Sequence, residues 1–358
     1  MTTIFDYVDW RGDLTFAQSE LNEVDALILS MISYIDFADI ISNDQTETPL
    51  TLLEVARKYV RLNRGKPKKL GLILPPEVVS IMAKAAKSRR FGDLLMSAYV
   101  NHVDSETETQ FSAVTFSYEE KWHFAAFRGT DDTLIGWKED FNMCFMHPVP
   151  AQLEALSYLE QIAEKHSGQL FAGGHSKGGN LAVYASVCAS PTVKERIVTV
   201  FNNDGPGFTR EFVESVAYTD MLPKIHTVVP QSSVVGMLLE HEGVYEVIKS
   251  SQNGILQHNA FFWEVLGPQF IHLNTVTGES MMIDRTLKKW LSEMSPEVRE
   301  TFVDSLFETI AASGATTLTD LNSDKIKLVK AWNNLPQESR ALVRKCISIL
   351  IRDARGKH

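Results

Sequence analysis

The chain has 358 residues, 44% hydrophobic and 22% charged, which is material for one large α/β domain with additions or for two domains. Its 45 acidic residues outnumber 35 basic ones, and a formal net charge of −10 argues against nucleic acid and against an anionic membrane as main partners. The first residues carry no basic and then apolar leader, and no run of about 18 uncharged apolar residues occurs, so neither a secretory signal nor a transmembrane segment is expected. Cys144, Cys188 and Cys346 are few and widely spaced. They read as free thiols of a cytoplasmic protein, with no metal-site spacing.

In chain order, residues 1–16 look irregular. Residues 22–37 predict an apolar helix, and residues 51–61 a second one with Thr48 or Thr51 as its cap. Arg61, Arg64, Lys66, Lys68 and Lys69 form a basic, solvated loop. Pro75 and Pro76 open a helix to about residue 87. Residues 94–104 and 110–118 alternate as strands, and residues 121–127 form another, with Glu119, Glu120 and Lys121 as a hairpin turn. Leu153, Leu156, Leu159 and Ile162 give helical spacing over residues 151–165. Residues 196–201 and 225–229 are buried-strand runs, and strands alternating with helices imply a mainly parallel sheet. From Asp284 onward the pattern is helical, with segments at 298–312, 320–332 and 336–352.

The chemistry gathers at residues 170–182, where an apolar run enters Gly173-Gly174-His175-Ser176-Lys177-Gly178-Gly179 and a small apolar helix follows. Gly174-x-Ser176-x-Gly178 between a strand and a helix is a nucleophile elbow. Reversing a strand into a helix at one residue strains the serine backbone and exposes its hydroxyl, and side chains two positions either side would collide. The following helix aims its N–H groups at a developing oxyanion.

A serine hydroxyl needs a base, a group that orients the base, and oxyanion donors. With the chain order Ser, acid, His, the base lies downstream. His258 sits in a loop before an aromatic run and fits best. His241, His226 and His272 are the alternatives, with His226 inside a strand and therefore expected as buried structure. Asp204 follows the strand at 197–202 in a Gly/Pro turn, where α/β sheets place their sites; Glu240 and Asp220 are the other acids. The residue after the nucleophile, Lys177, supplies one oxyanion N–H. Thr130, after the strand at 121–127, offers its N–H and hydroxyl, with Asp131, Asp132, Trp137 and Asp140 bracing that loop.

Phe127-Arg128-Gly129-Thr130 with Trp137 and Asp140, followed by Gly174-His175-Ser176-x-Gly178-Gly179, resembles the class 3 lipase pattern over roughly residues 110–260. Asp6-Tyr7-x-x-Trp10-Arg11-Gly12-Asp13-Leu14, Asp204-Gly205-Pro206-Gly207-Phe208 and Gln257-His258 are similar to a bacterial family of uncharacterised lipase-like proteins. The resemblance implies an α/β-hydrolase fold, and the pattern along the chain divides it into N-terminal helices over residues 1–90, a core over 91–283 and a C-terminal helical region over 284–358. The resemblance implies Ser176 as nucleophile and Thr130 and Lys177 as oxyanion donors. Class 3 lipases carry their acid after the later strand, where this chain has Ser232 and Ser233; Asp204 instead resembles the pancreatic-type placement. Lys177 also departs from the apolar residue lipases have there, and is expected to pair with Asp131, Asp132 or a negative charge on the substrate.

The sequence therefore predicts a serine hydrolase that cleaves a small-molecule or lipid ester through Ser176, His258 and Asp204, with no metal or cofactor. The same triad would serve a thioesterase or acyltransferase. A non-catalytic acyl-binding scaffold is the reading from another class, kept open by Ser232 and Ser233.

Overall fold

The computed structural model describes residues 2–42, 48–63, 76–131, 133–241, 245–311 and 314–317, with single positions at 320, 332, 337, 340 and 341. Apart from those single positions, the helices predicted at 320–332 and 336–352 lie outside the described residues, as do Cys346, Asp132 and most of the basic loop.

The N-terminal segment is helical where irregular chain was expected. Helix α1 (Ile4–Arg11) starts from a reciprocal cap, in which Thr3 N–H donates to Asp6 at 2.7 Å and Phe5 N–H to Thr3 Oγ1 at 3.3 Å. Its buried face is Ile4, Tyr7 and Val8, the i, i+3, i+4 spacing of an amphipathic helix. Helix α2 (Glu23–Ile32), capped by Asn22, is buried from Val24 onward and ends before the predicted residue 37. Within it, buried Asp25 receives Arg90 Nε at 2.7 Å and the Tyr7 hydroxyl at 2.8 Å, which ties α1, α2 and the turn before the sheet together. Strand β1 (Leu50–Thr51), helix α3 (Leu52–Leu62) with its Thr51 cap, and helix α4 (Glu77–Ala85) complete this region.

Strands β2 (Leu95–Asp104), β3 (Thr109–Tyr118) and β4 (Trp122–Phe127) form an antiparallel meander with β1. From β4 the chain changes to crossovers. Helices α5 (Leu134–Asn142) and α6 (Pro150–Lys165) lead to β5 (Gln169–His175), and α7 (Lys177–Cys188) and α8 (Pro191–Arg196) to β6 (Ile197–Asn203). Helices α9 (Arg210–Val213) and α10 (Val216–Met221) lead to β7 (Ile225–Pro230), and β8 (Glu246–Ile248) follows. Strands β4 to β8 are parallel, as helical crossovers require.

Short strands β9 (Val265–Leu266) and β10 (Gln269–Phe270) pair with each other, and β11 (His272–Leu273) closes the sheet edge antiparallel to β8. Among the described residues the main sheet has nine strands in the order β1-β2-β3-β4-β5-β6-β7-β8-β11. Alternate residues feed two separate cores. Phe124, Ala126, Phe171 and Phe201 pack with α2 on one face, while Ala125, Phe127, Leu170, Ala172 and Val200 pack with α6 and α7 on the other. A mainly parallel sheet covered on both faces, with a strand–serine–helix turn after β5, is the α/β-hydrolase arrangement.

Helix α11 (Gly278–Ser292) begins six residues before Asp284, where the helical pattern was expected to start, because Thr277 caps it through Ser280 N–H. With α12 (Pro296–Ala311) it forms a third apolar cluster around Trp290, Phe302 and Phe307, packed against Trp137, Phe141 and Phe145 beside α5. Among the described residues no helix is long and apolar enough to cross a membrane.

Candidate active site

Ser176 stands alone between β5 and α7, with φ 59° and ψ −134°. A non-glycine residue there costs about 1–3 kcal/mol of backbone strain, so the surroundings must hold it. Ser176 N–H donates to Asn203 O at 3.0 Å, Asn203 Nδ2 donates to Gly174 O at 3.1 Å, and Gly179 N–H closes the first turn on Ser176 O at 2.9 Å. The end of β6 is thus bonded to both sides of the elbow. The glycines are steric requirements. A Cβ on Gly174 would lie 2.2 Å from the carbonyl carbon of Gly178, and one on Gly178 would lie 2.1 Å from Phe127 O. Ser176 is half-buried while its neighbours His175 and Lys177 are buried.

Asp204 follows β6 directly, in a left-handed conformation at φ 54°, with its side chain fully buried. Its Oδ2 lies 2.7 Å from His258 Nδ1, and its Oδ1 accepts from Ser233 Oγ at 2.5 Å and from Gly236 N–H at 3.1 Å. A carboxylate at Nδ1 places the imidazole proton there and leaves Nε2 as the free acceptor. The structure therefore brings together the predicted base and the predicted acid. Ser232 and Ser233 do not replace the acid; Ser233 donates to it.

His258 ends a short helical turn (Gly254–His258), and its ring is 25% exposed. Two residues of the quoted motifs, to which the sequence assigned no role, hold this loop. Gln257 accepts from Ser232 N–H at 2.7 Å and, through its own carbonyl, from Trp263 Nε1 at 2.8 Å. His175, inside the elbow motif itself, places Nε2 2.8 Å from the His258 carbonyl, and its ring lies tilted against the His258 ring with 4.5 Å between centroids. A carbonyl only accepts, so His175 carries its proton on Nε2. The Tyr34 hydroxyl lies 3.1 Å from the other nitrogen. Burial pushes His175 well below the ordinary histidine range and keeps it neutral.

The alternative bases and acids lie elsewhere. His226 is not enclosed by its strand as expected; it is 26% exposed and paired with Glu23 at 2.8 Å. His272 bonds Glu246 at 2.9 Å, Glu240 meets Arg210 and Lys288 at 3.5 Å each, and Asp220 is exposed on α10. His241 packs beside Tyr245.

Thr130 lies just beyond β4, and its hydroxyl donates to Asp140 at 2.5 Å. That proton is committed, which corrects the expectation that Thr130 offers hydroxyl and N–H together. Burial pushes Asp140 up to about 6, with Lys177 and the Thr130 bond opposing the shift. Lys177 corrects a second expectation. Its stem turns inward, and Nζ lies 2.9 Å from Glu139 and 2.8 Å from Gln110 O, fully enclosed. It faces neither Asp131 nor a substrate charge. Asp131 pairs with Arg128 at 2.9 Å and accepts from Thr133 N–H at 2.8 Å, so it does brace the loop as anticipated. A cation at a helix N-terminus opposes the helix dipole, and the Glu139 carboxylate offsets that.

No curated protein matches the chain. Solved structures similar to it include a mutant form of MDLA from Penicillium cyclopium, at 11% identity and TM-score 0.37 over 69% of this chain and 83% of that one. M37 lipase is similar at 14% identity and TM-score 0.32, over 59% of this chain and 68% of that one. The Mbeg1-like family model matches residues 85–308, a span that holds Thr130, Ser176, Asp204 and His258. The match extends over well more than half of the sequence, and the chain belongs to the Mbeg1-like family.

Proposed function

We propose that this chain is a serine hydrolase of the lipase or esterase type, acting on a carboxylic ester of a small molecule or lipid. The observation that carries the proposal is the 2.7 Å bond from His258 Nδ1 to Asp204, with the His258 ring packed against His175, the residue before a serine in a strained strand–helix turn. In this mechanism Ser176 Oγ attacks the acyl carbonyl while His258 Nε2 takes its proton. Asp204 holds the imidazole tautomer and stabilises the imidazolium. The negative charge on the tetrahedral oxygen is met by the backbone N–H groups of Lys177 and Thr130, with the N-terminus of α7 behind them. His258 then protonates the leaving alcohol, and water activated by the same imidazole cleaves the acyl-enzyme. Ser233, Gly236, Gln257 and His175 position the acid and the base.

The test is covalent labelling with a fluorophosphonate probe, combined with turnover of a panel of esters, thioesters and amides. The wild type is expected to label on Ser176 and to favour esters, and Ser176→Ala to lose both label and turnover. Stoichiometric labelling of Ser176→Ala would falsify the assignment.

A further inference from the structure

The end of the sheet remote from Ser176 carries a second group of chemistry-bearing side chains. His123 is near the start of β4, Glu120 lies in the β3–β4 turn, and His166 directly follows α6. His123 stands opposite Leu170 of β5, so at about 3.3 Å per residue the group is roughly 20 Å from Ser176 along the strands.

The His123 ring is wholly buried. Its Nδ1 lies 2.8 Å from Ser117 Oγ, and its buried Nε2 has no hydrogen-bond partner among the described residues. That nitrogen is 3.8 Å from a Glu120 carboxylate oxygen. His166 Nδ1 lies 3.9 Å from the same oxygen, and the two imidazoles face each other with centroids 4.1 Å apart. One donor atom from each of the three residues falls within 4.8 Å of the other two.

We propose that Glu120, His123 and His166 bind a divalent first-row transition-metal ion, zinc in the first instance. Two imidazoles and one carboxylate are a borderline donor set that zinc accepts and that calcium and magnesium, which prefer all-oxygen sites, do not. Zinc bonds of about 2.0–2.1 Å set tetrahedral ligand separations near 3.4 Å, so the two measured pairs need to close by about 0.5 Å, and the His166 ring must swing out of its stack on His123, because an imidazole binds a metal in its own plane. Glu120 is 74% exposed and free to make that movement, and its position at the surface leaves a fourth coordination position to water. The Ser117 hydroxyl is placed to accept the His123 Nδ1 proton. That bond orients the ring and presents the Nε2 lone pair, as an outer oxygen does for a ligating histidine. The nearby Arg196, which bonds the Ala163 and His166 carbonyls, repels any dication, so coordination by the two imidazoles and Glu120 must supply the affinity against that charge. The ion would pin the β3–β4 turn to the end of α6, away from the proposed hydrolytic site.

Zinc titration of the metal-free, full-length protein by isothermal calorimetry tests this, with the thermal unfolding midpoint followed in parallel. Wild type is expected to bind about one equivalent and to unfold at a higher temperature with zinc. His166→Ala should lose both effects, and Glu120→Gln and Ser117→Ala should bind at least about tenfold more weakly. Cobalt added in place of zinc should give the visible absorption of a tetrahedral nitrogen–oxygen site in wild type and none in His166→Ala. His166 and Glu120 reach the surface, and circular dichroism confirms that their variants are folded before titration. Equal zinc affinity in wild type and folded His166→Ala overturns the proposal, as does an absence of binding in wild type.

Discussion

Ser233 donates its hydroxyl to Asp204 at 2.5 Å, joining the turn after β7 to the residue that follows β6. Gly236 N–H takes the same carboxylate oxygen at 3.1 Å, so the other oxygen is left for His258. The carboxylate is aimed by its own donors before the imidazole meets it. Ser233→Ala removes one donor and keeps the other. It is expected to lower kcat/KM for an ester by roughly tenfold, the worth of one hydrogen bond to a charged group. Asp204→Asn reverses the imidazole tautomer preference and is expected to cost on the order of 10³–10⁴ in kcat. Wild-type kcat/KM in Ser233→Ala would mean that Gly236 N–H alone aims the carboxylate.

The Thr130–Asp140 bond separates two uses of one threonine. If the oxyanion donor is the backbone N–H, Thr130→Ser keeps the hydroxyl bond and should retain kcat within about threefold, while Thr130→Val frees Asp140 and loosens the loop. Asp140 also carries a pH signature. Its carboxyl is raised from 3.8 to about 6 in the fold, so between these values the folded chain holds a proton that the unfolded chain has lost. This group therefore makes stability fall as pH rises from about 4 to 6. Urea unfolding of Asp140→Asn at pH 4.5 and pH 7 checks the sign, since the variant should gain on wild type as the pH is raised.

Lys177 and Glu139 are a buried pair, and breaking it differs from replacing it. Glu139 also accepts Gln110 N–H at 3.0 Å and Ala151 N–H at 2.8 Å, which fixes α5 against β3 and α6. Lys177→Met leaves a buried carboxylate without its cation and is expected to cost about 3–5 kcal/mol in urea unfolding. Adding Glu139→Gln should recover much of that loss. The Lys177 backbone N–H survives both changes, so the folded fraction should still label at Ser176. A folded Lys177→Met protein that no longer labels would show that the ammonium acts in the chemistry.

Local patterns foretold the parts of the site that are written locally. The elbow glycines, the strand before Ser176, the helix after it and the Gly/Pro turn at Asp204 each occupy a few consecutive residues. The cap that starts α1 is equally local, Thr3 with Asp6, but the helix has only eight residues, too few turns for a helical period to stand out. The supporting bonds are not local. Ser233 meets Asp204 across 29 positions, His175 meets His258 across 83, and Lys177 meets Glu139 across 38. No spacing rule links such residues, because their proximity exists only once parallel strands lie side by side. Lys177 misled for a related reason. A long flexible stem carries its charge well away from the backbone, so position at a helix start does not fix where the ammonium ends.

His175 gives the last test, because it links the elbow to the base loop through a neutral ring. Its Nε2–H donates to the His258 carbonyl, and burial holds its pKa well below 6.5. As pH falls below about 6.5 the unfolded chain protonates this residue and the folded chain does not. The stability from keeping it neutral is therefore complete above that pH and is lost progressively below it. His147, lowered by burial as well, contributes in the same direction. His175→Gln retains an N–H donor and has no titration, so it should lose less stability than wild type between pH 7 and pH 5. Its kcat/KM at pH 8 should fall by less than that of His175→Ala, which has no donor for the His258 carbonyl. Parallel stability curves for wild type and His175→Gln would mean that the buried imidazole is not held neutral. Equal activity in His175→Ala and wild type would mean that the bond to the His258 carbonyl does not position the base.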